Sequence, residues 1–493
     1  MKKGGITIFC ILSMMLTASV LCTFIEAARF QEIKYISKLQ TELAAETMFA
    51  NYNNALWEKY HLLGCGYEDA EDCLKEAVNG REGVEQKSLN LLYADAYTEE
   101  IVGYTRITDG NGTAYMKAIS SYMKENMIYE TAKGLYSQYE SLKTMKDGGK
   151  WNLENMEHAL QDFDALQQAI IDQEKEKEIE TNEKNKEETM NQTVVYTGVN
   201  PLREASNLKN IGILELVLGD KSQVSFHEIS GMDMVSKRKL LKGQNSDIES
   251  IEWMDEVFLQ QYLLKHLKCF LEYTEQEGLC YELEYVIGGK LSDVENLKIV
   301  VKELLGIREI LNFLYLTSDI QKSEEASRLA IAMVGASANP IFIETVRIGL
   351  LTAWAFGESI VDVRSLLQGK RIPLLKNTNS WNLQLTEIGS ILQNRTIGKE
   401  TEDGLTYKEY LGILLMFHSK KECAMRSMDI QEMQIRSMEG KEDFRMDDLL
   451  LNVEIEVGYR YKPVFFSFSI LERKEWGNKE IWTEARYGYD GSR

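Results

Sequence analysis

Histidine is scarce in this sequence of 493 residues, which contains only five: His61, His158, His227, His266 and His418. They stand singly, and no cysteine lies near any of them at the spacing of a structural zinc site. Each histidine is therefore interpreted as a surface residue or a hydrogen-bonded core residue. The sequence predicts neither a metal site nor a cofactor.

Catalytic and nucleotide-binding motifs are also missing. The sequence has no H-E-x-x-H, G-x-S-x-G, G-x-x-x-x-G-K-[ST] or G-x-G-x-x-G, so the enzyme classes that depend on them lose support. Carboxylate pairs such as Asp447-Asp448 are expected by chance among 77 acidic residues. A glycosidase pair needs to be close only in space, and the sequence nominates none. We predict that the protein is not an enzyme, and no small-molecule substrate is evident.

Excess positive charge is absent, because the formal net charge is -21 and the pI is about 4.9. Nucleic-acid affinity comes largely from basic side chains that displace counterions from phosphates. The charge therefore excludes nucleic acid as an expected partner. We interpret the acidity as a source of solubility for an exposed domain.

Cysteines are too few for a disulfide scaffold. Two of the seven, Cys10 and Cys22, lie in an apolar run near the N-terminus, and there is no C-x-x-C pair. The other five are Cys65, Cys73, Cys269, Cys280 and Cys423. Small loops closed by Cys65 with Cys73, or by Cys269 with Cys280, are open alternatives to buried free thiols.

A long uncharged run is the most informative feature that is present. Lys2 and Lys3 precede 22 uncharged residues, Gly4 to Ile25. At about 1.5 Å per residue such a helix crosses a hydrocarbon core of about 30 Å. The residues predicted to face lipid are Ile6, Phe9, Leu12, Leu16, Val20 and Phe24. The two lysines predict a single-pass anchor in the cytoplasmic membrane, with the N-terminus inside and the bulk of the chain extracellular.

Two other interpretations of this run stay open. A cleaved signal peptide would have a shorter apolar core and a small-x-small cleavage site, and neither is evident here. Processing at Gly4 or Gly5 would match the way prepilins mature, and Gly5-Ile6-Thr7 resembles such a site. Cys10 stands where prepilins carry an acidic residue.

Glu26 and Arg29 follow the run at helical spacing. They are three residues apart, so they lie on one face of a helix. One interpretation is an ion pair at the membrane boundary with a snorkelling arginine. The other is a contact between neighbouring subunits that fixes their register.

The periodicity of the remaining chain predicts an α+β protein in five segments: a membrane anchor (1–29), a helical stalk region (30–171), a charged linker (172–196), a mainly helical body with a few strands (197–445) and an antiparallel β-meander (446–493). Predicted helices include Asn152 to Ile171, one capped by Asn200-Pro201, Ser292 to Leu316 and Ile341 to Leu367. Predicted strands are Ile213 to Leu218, Val224 to Ile229, Leu279 to Tyr285, Val453 to Tyr461, Phe466 to Leu471 and Ile481 to Tyr489.

Several stretches resemble a bacterial surface family, domain-of-unknown-function family 5702. The stretches that carry this resemblance over nearly the whole chain are Gly5 to Phe9, Ile25 to Arg29, Asn51 to Tyr60, Asn200 to Leu202, Tyr281 to Tyr285, Ile307 to Tyr315, Ala353 to Ser359, Val363-Arg364, Ile372 to Lys376 and Leu405 to Lys408. The C-terminal Val453 to Pro463 also resembles the closing strands of tight-adherence minor pilins of the TadE and TadG type. The resemblance implies a surface protein of Gram-positive bacteria that is associated with tight-adherence pili.

These observations favour a non-enzymatic, membrane-anchored surface protein that is a minor pilin-like or assembly component of a tight-adherence pilus. Its expected partners are the lipid bilayer and other pilus or assembly subunits. A cell-surface hydrolase acting on wall or glycan is one alternative. An extracellular sensor or adhesin with the same anchor is another.

Overall fold

The computed structural model describes residues 3–79, 92, 94–126, 200–219, 224–231, 233–244, 250–272, 278–334, 340–464 and 479–489. The chain forms two compact units that are both discontinuous in sequence. The first comprises Met1–Met127, Asp233–Asp255 and Gln431–Arg493, and the second comprises Ile128–Met232 and Glu256–Ile430. The predicted helix Asn152 to Ile171, the charged linker and the predicted strand Phe466 to Leu471 lie outside the described residues.

The first unit combines long and short helices with an antiparallel sheet. Its elements are α1 (Lys3–Ala50), α2 (Asn54–Tyr60), β1 (Cys65–Gly66), α3 (Tyr67–Asn79), β2 (Asp95–Arg106), α4 (Asp109–Asn126), a 3-10 turn (Met446–Asp448), β3 (Leu449–Tyr461) and β4 (Lys479–Gly488). The long strand β3 is central, and both β2 and β4 pair with it along nearly its whole length. The short β1 pairs with the start of β3.

The antiparallel pair at the C-terminus confirms the alternation predicted around Val453 and Ile481. The strand β2 lies within residues 30–171, which were predicted as a helical stalk region, and corrects that prediction for Asp95–Arg106. It pairs Ile101 with Ile455, so part of the sheet comes from residues more than 300 positions earlier in the chain. The prediction was wrong here because the segment alternates only weakly, and its pairing partner lies far away in the sequence.

The second unit is mainly helical. Its helices are α5 (Pro201–Lys209), α6 (Ile213–Leu218), α7 (Trp253–His266), α8 (Glu282–Gly288), α9 (Asp293–Ser318), α10 (Ile320–Val334), α11 (Pro340–Leu366), α12 (Ile391–Asn394), α13 (Tyr407–Phe417) and α14 (Lys420–Arg436), with 3-10 turns at Phe270–Glu272 and Leu385–Ser390. Helices α7 and α14 contribute residues to both units. The predicted cap is confirmed, since the Asn200 side chain accepts the Leu202 N–H and Pro201 occupies the first turn. The helices predicted from Ser292 and from Ile341 are confirmed as α9 and α11.

Three predicted strands in this unit are wrong. Ile213 to Leu218 is the helix α6, which ends at Gly219 with a φ of +70°. Within the described part of the chain, Val224 to Ile229 forms a single bridge, between Glu228 and Ser292.

The segment Leu279 to Tyr285 alternates in sequence but enters the helix α8. On a strand with one apolar face its acidic residues would face water, yet Glu282 and Glu284 are buried. Their carboxylates accept the backbone N–H groups of Lys268 and Phe270. The acidic residues of this alternating pattern are therefore buried groups that accept hydrogen bonds, and they do not form the solvent-exposed face of a strand.

Candidate membrane and assembly segment

The helix α1 has two halves with opposite surroundings. It runs without interruption for 48 residues. Residues 6–25 are exposed in the described chain except for the half-buried Cys22. This exposed set includes all six residues predicted to face lipid: Ile6, Phe9, Leu12, Leu16, Val20 and Phe24. Phe9 is 71% exposed and Leu16 is 67% exposed, so none of the described residues covers the apolar surface of this segment.

From Arg29 onward, one face of α1 is buried against the sheet. The buried positions recur every three or four residues, which is the spacing of one helical face: Arg29, Ile33, Ser37, Thr41, Ala44, Ala45, Met48 and Phe49. Ile33 packs with Tyr461 of β3 and Ile481 of β4. The second half of α1 was expected to be a stalk that extends the first, but it forms part of a packed core.

Polar contacts fix the register of α1 on the sheet. The Thr41 hydroxyl lies 2.6 Å from the Thr483 hydroxyl and 3.2 Å from the Tyr459 hydroxyl, all in a buried position. Near the C-terminal end of the helix, the Tyr489 hydroxyl donates to the Phe49 carbonyl at 2.6 Å. Since buried hydroxyls need hydrogen-bond partners, these contacts fix the position of α1 along its axis relative to the sheet.

Glu26 and Arg29 meet where the packed half begins. Arg29 Nη1 donates to Glu26 Oε1 at 2.8 Å, and both side chains are largely buried. The Arg29 guanidinium also lies 5.9 Å from the centroid of the Tyr461 ring, and the Val464 N–H donates to Glu26 Oε2 at 3.4 Å. The structure thus places the pair at the end of the sheet where β3 finishes, next to the exposed apolar half of α1.

The cysteines are free thiols. Burial raises the pKa of Cys65 to about 12, the pKa of Cys269 to about 12 and the pKa of Cys423 to about 11. These thiols therefore stay protonated and unreactive at neutral pH. Neither small loop is closed, and the buried cysteines act as packing residues.

A fully buried ionic network lies in the second unit, where α9 packs on α11. The Arg308 guanidinium contacts Asp362 Oδ2 at 2.9 Å and 3.0 Å through Nη2 and Nε. Lys376 Nζ lies 2.6 Å from both Asp362 Oδ1 and Glu358 Oε1. Although burial acts to raise the pKa of Asp362, Arg308 and Lys376 hold that pKa below its usual value. Two acids and two bases thus balance in a site that water does not reach.

Three of the four residues of this network lie in stretches that carry the family resemblance: Arg308 in Ile307 to Tyr315, Glu358 in Ala353 to Ser359 and Lys376 in Ile372 to Lys376. Sequence reasoning predicted the helix Ile341 to Leu367, on which Glu358 and Asp362 lie, and both residues are buried in the structure. It did not identify Arg308 or Lys376 as their partners. The available signal was that two acids four residues apart on an apolar helix require nearby cations.

No group of three or more His, Cys, Asp or Glu side chains is arranged to hold a metal ion among the residues that the structure describes. Two described helices, α1 and α11, are long and apolar enough to cross a membrane by length and composition. Only α1 leaves its apolar run uncovered, so it is the candidate membrane and assembly segment.

Residues 183–461 match a family of unknown function, DUF5702. Because the match covers more than half of the chain, the protein belongs to that family. The matched region excludes α1, so the stretches from Gly5 to Tyr60 that were included in the resemblance lie outside it. No curated protein matches the chain. No solved structure matches it either.

Proposed function

We propose that the protein is a membrane-anchored surface protein and acts as a minor pilin-like or assembly component of a tight-adherence pilus. One observation carries this proposal. A single continuous helix leaves its first, uncharged half bare and packs its second half on an antiparallel sheet. Such a helix supplies an apolar rod that is rigidly joined to a folded body.

The uncovered half of α1 needs an apolar environment, because water around the 14 exposed apolar residues between Ile6 and Ile25 costs far more than burial in lipid or in a helical bundle. The bilayer provides this environment before assembly. Helices of neighbouring subunits provide it in a fibre. The acidic body remains outside and is available for contacts with partners.

A non-enzymatic role fits the buried acids of the second unit. Glu358 and Asp362 are 0% exposed and are bound to Lys376 and Arg308. Carboxylates in this state stabilise a core, since a substrate cannot reach them. The pair therefore does not favour the hydrolase alternative.

The experiment is N-terminal and intact-mass analysis of the protein from purified membranes and from sheared surface fibres. We expect the mature protein to retain the apolar run of α1. The first residue of the mature protein should then be Met1, Lys2, Gly5 or Ile6. A Gly5 or Ile6 terminus in the sheared fraction would identify a processed pilin-like subunit, and an intact terminus confined to membranes would identify a fixed assembly component. A mature terminus beyond Ile25 would contradict the proposal, because it would show that the run is a cleaved signal sequence.

A further inference from the structure

The side chains of Lys376 and Asn382 converge on one buried carboxylate. Lys376 Nζ donates to Glu358 Oε1 at 2.6 Å, and Asn382 Nδ2 donates to the same oxygen at 2.9 Å. The two nitrogens also share the Ser380 carbonyl oxygen, at 2.9 Å and 3.1 Å. The lysine amine therefore lies beside the asparagine carboxamide.

The orientation of the carboxamide is fixed by its other end. The Lys399 N–H donates to Asn382 Oδ1 at 2.9 Å. A backbone N–H can only donate, so Oδ1 must face it and Nδ2 must face the Glu358 carboxylate. A donor at Oδ1 also polarises the carbonyl group and would stabilise negative charge that develops there.

From this arrangement we propose that Lys376 and Asn382 form an intramolecular amide (isopeptide) bond, with Glu358 as the proton carrier. The proposal concerns a modification of the second unit and does not rest on the proposed function. It needs no cofactor and no oxidant. The bond would close a ring within the loop that follows Pro373.

The reaction balances with the groups in place. The Lys376 ammonium gives one proton to Glu358, and the resulting amine attacks Asn382 Cγ. Glu358 then passes its proton to Nδ2 and takes one from Nζ, so that the Cγ–Nδ2 bond breaks and ammonia leaves. The products are the amide, ammonia and a protonated Glu358.

The charge of the surrounding network favours this outcome. Before the reaction, two acids face two bases: Glu358 and Asp362, and Lys376 and Arg308. After it, Lys376 and Glu358 are both neutral, and the Asp362–Arg308 pair remains. The buried site is thus neutral in both states, and no uncompensated charge is left without water.

The lysine amine and the Glu358 carboxylate are also shielded from water and pre-organised, and Asn382 beside them is half-buried. The Lys376 side chain is 1% exposed and that of Glu358 is 0% exposed, so water does not compete with the amine. Glu358 Oε2 accepts the Leu383 N–H at 2.8 Å, which fixes the carboxylate. Within the loop, Ser380 N–H and Trp381 N–H donate to the Asn377 carbonyl, which fixes the turn between the two reacting residues.

The test is tryptic peptide mapping of the full-length protein by tandem mass spectrometry. An amide at Lys376 blocks cleavage after that residue, so we expect a peptide of residues 372–395 that is lighter than its sequence by about 17 Da, the mass of ammonia. Fragmentation should yield no ions from within residues 376–382, because the ring holds these residues together.

Four variants locate the chemistry. Lys376→Arg keeps a cation beside Asp362 but removes the nucleophilic amine, so cleavage after residue 376 should return with no loss of mass. Asn382→Ala should abolish the bond, and Glu358→Gln should abolish or greatly slow it. The control Asn379→Ala changes an exposed asparagine in the same loop and should retain the lighter, uncut peptide.

Two results would overturn the proposal. One is wild-type protein that is cut after Lys376 and gives a 377–395 peptide of the unmodified mass. The other is an ammonia loss that persists in a peptide cut after Lys376, since a cyclic imide at an asparagine produces that mass without a cross-link. Either result would leave Lys376 as a buried ion-pair partner only.

Discussion

Helices α1 and α11 are both long and apolar, yet they have opposite surroundings. The first 22 residues after Lys3 in α1 carry no charge, and those whose side chains the structure describes are exposed except for the half-buried Cys22. By contrast, α11 carries Glu358, Asp362 and Arg364, and every residue from 350 to 367 is buried. The difference teaches that the charges within an apolar helix, more than its hydropathy, indicate what surrounds it. A charged apolar helix needs protein groups as partners, whereas an uncharged one is stable in lipid.

The largest expected effect comes from placing charge in the uncovered half of α1. In a Leu16→Asp, Val20→Asp variant, each aspartate near the centre of the span costs about 2.5–3.5 kcal/mol on an insertion scale. We expect the protein to be released from the membrane or mislocalised, as measured by membrane fractionation. The matched control is Ile341→Asp, an exposed position at the start of α11, which should fractionate like the wild type. A double variant that remains in the membrane fraction would refute the assignment of α1.

A smaller effect is expected from removing one partner of the α11 network. Asp362→Ala leaves the buried Arg308 guanidinium without its carboxylate partner, so the free energy of unfolding should fall by about 3–5 kcal/mol. Chemical denaturation of the full-length protein in detergent measures this loss. Glu344→Ala removes an exposed ion pair with Arg347 near the start of the same helix and should cost at most about 1 kcal/mol. Equal losses in both variants would show that burial does not set the importance of these charges.

The smallest effect concerns a buried acid in a different setting. Phe270 N–H and the Tyr407 hydroxyl donate to Glu284 Oε1, but Oε2 has no hydrogen-bond partner in the described chain. Burial raises the pKa of Glu284 to about 7. Since the folded-state pKa is above the unfolded value, wild-type stability should fall as the pH rises from about 4 to 7.

Glu284→Gln removes this ionisation. The variant should match the wild type near pH 4 and exceed its free energy of unfolding by about 2–3 kcal/mol at pH 8. Denaturation curves at the two pH values measure the difference. Glu324→Gln, at an exposed position on α10, should change stability by less than about 0.5 kcal/mol at either pH. A Glu284→Gln difference that does not depend on pH would contradict the raised pKa.

Local patterns predicted much of this fold. The cap at Asn200, the helices α9 and α11 and the strand β3 each follow from residues within a few positions of one another. Predictions failed where a local pattern had a second explanation. The alternation from Leu279 to Tyr285 is typical of a strand, yet its acidic residues are buried because they accept N–H groups from residues 268 and 270.

Of the two candidate sites, one could be predicted from local sequence and the other could not. The six apolar positions from Ile6 to Phe24 were evident in the sequence, because a membrane segment is defined by composition over a short window. The contact of Lys376 with Glu358, which are 18 residues apart, could not be found in this way. Neither residue belongs to a motif, and their meeting depends on how the loop after α11 folds back on that helix.

The sequence by itself determined that an uncharged run long enough to span a bilayer as a helix lies near the N-terminus, and that alternating strands lie near the C-terminus. Both are short-range properties, set by periodicity and by the transfer energy of side chains. Only the tertiary structure decided that the second half of α1 packs on those strands, that β2 joins them, and that Lys376, Asn382 and Glu358 meet. These are contacts between distant segments, and their geometry depends on the packing of the whole core.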